Sequence, residues 1–117
     1  MDESQKLISL AEDYWESARD NLAKQRYNVA FEAARHAAEL AGKAMLLRKI
    51  GDFPKRHDIG GDLHRAKLVP VGVDAATLDE FLADYLRGRY EWDEADPKEA
   101  QRAVALARKM LDAAKRV

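Results

Sequence analysis

YNVAFEAARHAAELAGKAMLL, residues 27–47, decides the fold. Ala30, Ala34, Ala37, Ala38, Ala41, Ala44 and Met45 form one stripe, flanked by Phe31, Leu40, Leu46 and Leu47. Recurrence at three and four residues is the signature of a helix with a buried face. Alanine loses no side-chain entropy on becoming helical, so propensity and burial agree. The rest of the chain shares the bias, with 21 alanines against ten Val, Ile and Thr together.

Toward the N terminus, Leu7, Ala11, Tyr14, Ala18 and Leu22 keep helical spacing, widened by Ile8 and Trp15. Between Asp2 and Ile50 only Gly42 is a Gly or Pro, so one continuous helix must be weighed. It would run about 70 Å at 1.5 Å per residue, longer than a small domain can cover. The stripe phase decides. Extending the first stripe past Leu22 would put Gln25, Glu32 and His36 on the apolar face, so a tight turn is expected at Lys24–Arg26.

Downstream, Gly51 is expected to end the second helix as its C-cap, with Arg48 and Lys49 suited to the negative end of the dipole. Asp52-Phe53-Pro54 reads as loop, Asp58 to about Lys67 as a short helix, and Leu68–Val73 as an extended connector containing Pro70 and Gly72. Thr77 and Glu80 have capping-box spacing before a helix with Leu78, Phe81, Leu82, Tyr85 and Leu86 on one face. Asp96, Pro97 and Glu99 mark the start of the last helix, which carries Ala100, Ala103, Val104, Ala107, Met110, Leu111 and Ala114. The expected fold is all-α, an antiparallel up-down helical bundle of four main helices plus a short helical insert, in a single domain over residues 1–117.

Composition narrows the function. Hydrophobic residues make up 47% and charged residues 35%, which excludes a disordered chain. The net charge of -1 gives no whole-molecule attraction to nucleic acid or anionic membrane. No segment reads as a membrane span, and the start Met1-Asp2-Glu3 lacks the basic and apolar regions of a signal peptide. Without cysteine there is no disulfide or thiolate chemistry, and a cytoplasmic setting is expected.

Chemistry-bearing residues are few. His36 lies in mid-helix and reads as structural; His57 and His64 flank two glycines, with Asp58 and Asp62 nearby, but match no metal-ligand spacing. No metal site and no cofactor are expected. Ser4, Ser9 and Ser17 all lie on the first helix, so no Ser-His-Asp arrangement is available, and Gly60-Gly61 lacks the lysine of a phosphate-binding loop. Charge points elsewhere. Lys55, Arg56, His57, His64, Arg65 and Lys67 make a basic cluster; Arg87 and Arg89 precede Tyr90 and Trp92, a mixture suited to phosphate pairing and base stacking. Glu39 and Lys43, four apart, read either as an exposed pair or as a polar seam that orients a partner.

The run from Tyr27 to Leu47 resembles the second helix of HEPN domains (higher eukaryotes and prokaryotes nucleotide-binding), with Glu39, Lys43, Ala44, Leu46 and Leu47 filling the pattern. His57-Asp58-Ile59 followed by Leu63 is similar to the family's His-Asp-Leu stretch. Tyr85-Leu86-Arg87-Gly88-Arg89-Tyr90 resembles its Tyr-x-x-x-Arg-Tyr segment, and Asp96 to Lys109 its closing helix. The resemblance implies a small helical bundle, usually a homodimer, often paired with a minimal nucleotidyltransferase in a two-component, toxin-antitoxin-like module. Many such proteins are metal-independent ribonucleases whose signature is Arg, four to six residues, then His. Arg89 would need that His at Glu94, Ala95 or Asp96, and Arg87 at Trp92, Asp93 or Glu94; neither has one.

The expected function is therefore a non-catalytic nucleotide-binding or interaction subunit, with no catalytic residue assigned. Its nucleotide- or phosphate-binding residues would be Arg56, His57, His64, Arg65, Arg87, Arg89 and Tyr90. Expected partners are a second copy, a nucleotidyltransferase and a nucleotide or RNA. The alternatives are a ribonuclease toxin with a divergent active site and a helical adaptor without nucleotide contact.

Overall fold

The computed structural model describes residues 1–83 and 95–117. Five helices are present among them: α1 (Glu3–Ala23), α2 (Tyr27–Ile50), α3 (Gly60–Arg65), α4 (Ala75–Ala83) and α5 (Pro97–Arg116). No described residue is in a strand, and no helix is long and apolar enough to cross a membrane.

The turn between α1 and α2 falls where the stripe phase places it. The Arg26 N–H donates to the Asn21 carbonyl at 2.9 Å and the Gln25 N–H to the Leu22 carbonyl at 3.0 Å, with Gln25 at φ 61. This is a Schellman closure with glutamine in the left-handed position usually held by glycine. α3 ends the same way, with Lys67 at φ 60 and Leu68 N–H donating to the Leu63 carbonyl at 2.8 Å.

Three long helices carry the core. The Arg48 guanidinium, near the end of α2, donates to Ser4 Oγ at 2.8 Å and to the Ala114 carbonyl at 3.1 Å. At the opposite end the Ala95 N–H donates to Asn28 Oδ1. α1 therefore runs antiparallel to α2 and α5, and those two run parallel, as an up-down bundle requires. Trp15 joins α1 to α5: its indole N–H donates to the Val104 carbonyl at 3.1 Å, and the Arg19 and Arg108 guanidiniums sit over the ring. Every residue of the expected α5 stripe, from Ala100 to Ala114, is buried.

α2 is the central helix, buried on all sides from Ala37 to Leu46. α4 docks on it through Phe31 and Phe81, ring centroids 5.4 Å apart and nearly perpendicular. Two glycines permit the remaining close approaches. A Cβ on Gly42 would meet Ile59 Cδ1 at 2.8 Å, and one on Gly60 would meet the Asp79 Cα at 2.5 Å. The first seats α3 on α2; the second lets α3 cross α4.

Three details differ from the sequence reading. The short helix covers Gly60–Arg65 rather than Asp58–Lys67. The supposed extended connector contains a turn, with Val73 N–H donating to the Pro70 carbonyl at 3.1 Å and Gly72 at φ 84. The cap of α4 is Asp74, three residues before Thr77, and its carboxylate accepts the Thr77 N–H at 2.9 Å. Of the expected fourth main helix, Ala75–Ala83 are described as α4, and Tyr85 and Leu86 lie outside the described residues. The start of α5 agrees: Asp96 accepts from Lys98 N–H at 2.7 Å and Glu99 accepts from Asp96 N–H at 3.1 Å.

Candidate functional site

Glu32, Arg35, Glu39 and Lys43 recur at intervals of three and four residues, so they share one face of α2. Of the two readings of Glu39 and Lys43, the seam is the one observed: Glu39 is 3% exposed and Lys43 9%. A buried carboxylate costs several kcal/mol unless its lone pairs are answered. Glu39 Oε2 accepts from Lys43 Nζ at 3.0 Å, while Oε1 accepts from His57 Nδ1 at 2.8 Å and lies 3.4 Å from Arg35 Nη1. The same Arg35 group reaches the Leu82 carbonyl in α4 at 3.5 Å, and Arg35 Nε lies 3.4 Å from Glu32.

The Glu39 carboxyl is held below its ordinary range. Burial pushes its pKa up, but the Lys43 and His57 hydrogen bonds outweigh that and favour the ionised form. An ionised carboxylate only accepts, so His57 carries its proton on Nδ1, and its side chain is 68% exposed. His57 comes from the loop between α2 and α3, which is also pinned by Phe53 beneath Lys43, Nζ lying 5.8 Å from the ring centroid. His36, on the same face of α2 between Glu32 and Glu39, packs edge-on against Tyr14 at 4.3 Å, and burial lowers its pKa. That is the structural role its position suggested.

The basic residues divide. Arg56 Nη2 pairs with Asp62 Oδ2 at 2.7 Å and Arg65 Nη2 with Asp62 Oδ1 at 2.9 Å, so one carboxylate bridges both guanidiniums. Arg56 also donates to the Asp58 carbonyl at 2.8 Å. His64 stands exposed on α3 beside them. The structure thus gathers Arg56, His57, His64 and Arg65 around α3 and its approach. Arg87, Arg89 and Tyr90 lie outside the described residues. Among the described residues no group of three His, Asp or Glu is placed to hold a metal ion.

Sequence reasoning named His57 but not its tie to Glu39. One signal pointed there: a helix apolar around its whole circumference is buried on every side, so charges within it must be paired.

A HEPN domain family model matches residues 4–117. The crystal structure of TT1696 from Thermus thermophilus superposes with a TM-score of 0.74 at 25% identity, covering 99% of this chain and 98% of that one. No curated protein matches at a significant level.

Proposed function

The chain belongs to the HEPN domain family, and from that premise we propose that it is a non-catalytic nucleotide-binding or interaction subunit of a two-component module with a minimal nucleotidyltransferase, acting as a homodimer. The observation that carries this reading is the basic rim around α3. Residues 55–67 hold four Lys and Arg against two Asp, in a chain whose net charge is -1. Asp62 holds the Arg56 and Arg65 guanidiniums together, using only part of the five donors each offers. A phosphate meets an oriented pair there, at less entropic cost than two loose side chains would impose.

Arg87, Arg89 and Tyr90 complete the proposed site, supplying further guanidiniums and a ring for base stacking. No histidine follows His64, so where the family's ribonucleases place an imidazole Arg87 and Arg89 have Trp92, Asp93, Glu94, Ala95 and Asp96, whose only titratable groups are carboxylates. Carboxylates with ordinary pKa near 4 are poor general acids at neutral pH and repel a scissile phosphate.

Calorimetric titration with ATP and other nucleotides tests the site. Arg56→Ala, Arg65→Ala, Arg87→Ala and Arg89→Ala should each weaken binding, and rising salt should weaken it further. Equal binding by all four variants refutes it. Sedimentation tests the dimer, and co-purification with the product of a neighbouring gene tests the partner.

A second reading has one observation in its favour. Glu39 holds His57 through Nδ1 while the side chain stays largely exposed, which is how a carboxylate prepares an imidazole for proton transfer. On that reading the protein is a metal-independent ribonuclease with a divergent site. Metal-free incubation with tRNA and mRNA separates the two: the proposed function gives no cleavage, and cleavage lost in His57→Ala and Arg89→Ala establishes the ribonuclease.

A further inference from the structure

Overall neutrality conceals a segregation of charge. α5 carries Lys98, Arg102, Arg108, Lys109, Lys115 and Arg116 against only Glu99 and Asp112. Two of those cations are paired: Arg108 pairs with Asp112 at 2.6 Å and lies 3.7 Å from Glu12, and Lys115 pairs with Glu12 at 3.2 Å. Glu99 is committed to the capping box. Both acidic groups of the helix are therefore already used.

The four remaining cations are Lys98, Arg102, Lys109 and Arg116. All are exposed, and none makes an ion pair among the described residues. Their intervals of four, seven and seven residues are close to whole turns, so they align along one edge of α5. At 1.5 Å per residue the line is about 27 Å long. Ala105 lies on it as well and is exposed, while Asp112, at its margin, is held by Arg108.

Physical chemistry selects the occupant. A protein interface needs an apolar centre and is depleted in lysine, and this line offers only Ala105 and the part of Leu106 that is not packed against the core. A membrane-surface helix needs a free apolar face, whereas that face of α5 is buried against α1 and α2. A polyphosphate strand needs neither, because displacing its condensed counterions supplies the driving force. We propose that the outer edge of α5, through Lys98, Arg102, Lys109 and Arg116, is a docking surface for the phosphate backbone of single-stranded nucleic acid. It stacks no bases, since the line holds no ring. It is separate from the α3 rim.

Fluorescence anisotropy with labelled oligo(U), between about 50 and 200 mM salt, tests it. Four phosphate contacts on a single strand give a log–log slope near -3, which is about a 50-fold weakening over that range. The variant K98Q/R102Q/K109Q/R116Q should bind at least tenfold more weakly at low salt, with its slope shallower by about three. Glutamine keeps helix propensity, so its thermal midpoint and its affinity for ATP should match those of the wild type. Should it fail to fold, K98Q/R102Q and K109Q/R116Q should each remove about half of the slope. Wild-type affinity in the quadruple variant overturns the proposal. So does the absence of oligo(U) binding by the wild type, or equal competition by poly-glutamate, which would assign the edge to an acidic protein.

Discussion

α2 and α5 are both alanine-rich, both about 20 residues long and run parallel, yet they treat charge in opposite ways. α2 has helices on every side, and its Arg35, Glu39 and Lys43 are folded into a nearly closed seam. α5 lies at the periphery, with its apolar half facing inward and four cations facing solvent. The same residue types thus act as internal fasteners in one helix and as a free electrostatic edge in the other. Position in the stack, not composition, decides which.

The largest expected effect comes from breaking the seam. Glu39→Ala leaves Lys43 and Arg35 without their shared carboxylate and His57 without its anchor, and it should lower unfolding free energy by about 3–5 kcal/mol. Urea unfolding measures it. Replacing both members, as Glu39→Leu with Lys43→Met, should recover most of that loss, because Lys43 is gone and Arg35 keeps Glu32. The seam also has a pH signature. The folded pKa of Glu39 lies below its ordinary 4.5, so its stabilisation is complete above that value and is lost as pH falls through the folded pKa. Asp2, Asp74 and Asp112 are lowered as well and act in the same direction. Wild type should therefore lose stability below about pH 5. The double variant should lose less.

What the sequence disclosed follows the same contrast. α5 was legible from Asp96 to Ala114 because its signals are local: a capping box, a proline at the first helical position and one unbroken stripe. The α1–α2 turn was legible because two stripes out of phase cannot share one straight helix. The seam was not, because Glu39 and His57 are 18 residues apart and joined by a loop whose path no periodicity records. The α4 cap failed for a different reason. Asp74 and Thr77 are both good N-caps, and a spacing rule does not choose between them.

The close approaches of α3 to its neighbours give a smaller effect. Gly60→Ala drives a methyl into the Asp79 backbone, which only separation of α3 and α4 relieves, and should cost about 1–3 kcal/mol. Gly42→Ala meets the ends of Ile59 and Leu63, which can shift by rotamer, and gains up to about 1 kcal/mol of helix propensity. It should therefore cost less than Gly60→Ala in the same denaturation assay. The reverse order would mean that α3 is seated on α2 more rigidly than on α4.

Helix starts separate the two elements again. α5 begins with a complete capping box, whereas α2 begins at Arg26 with no side-chain cap and is held by its packing. Asp96→Ala should cost about 1 kcal/mol, while Arg26→Ala should change stability by less than about 0.5 kcal/mol. Thermal melts followed by circular dichroism compare them directly.

The smallest expected effect is also the sharpest comparison, since it makes one substitution at two lysines. Lys43→Gln removes a buried ammonium that donates to Glu39 at 3.0 Å, leaving that carboxylate with its burial cost only partly answered. Lys109→Gln removes an exposed ammonium with no ion-pair partner among the described residues, on a helix that glutamine suits equally well. It should change stability by less than about 0.5 kcal/mol, and the change should shrink as salt screens the repulsion from neighbouring cations. Lys43→Gln should cost several times more and respond little to salt, because buried pairs are poorly screened. Equal costs at the two positions would mean that Lys109 has a hidden carboxylate partner. The edge of α5 would then be no freer than the seam of α2.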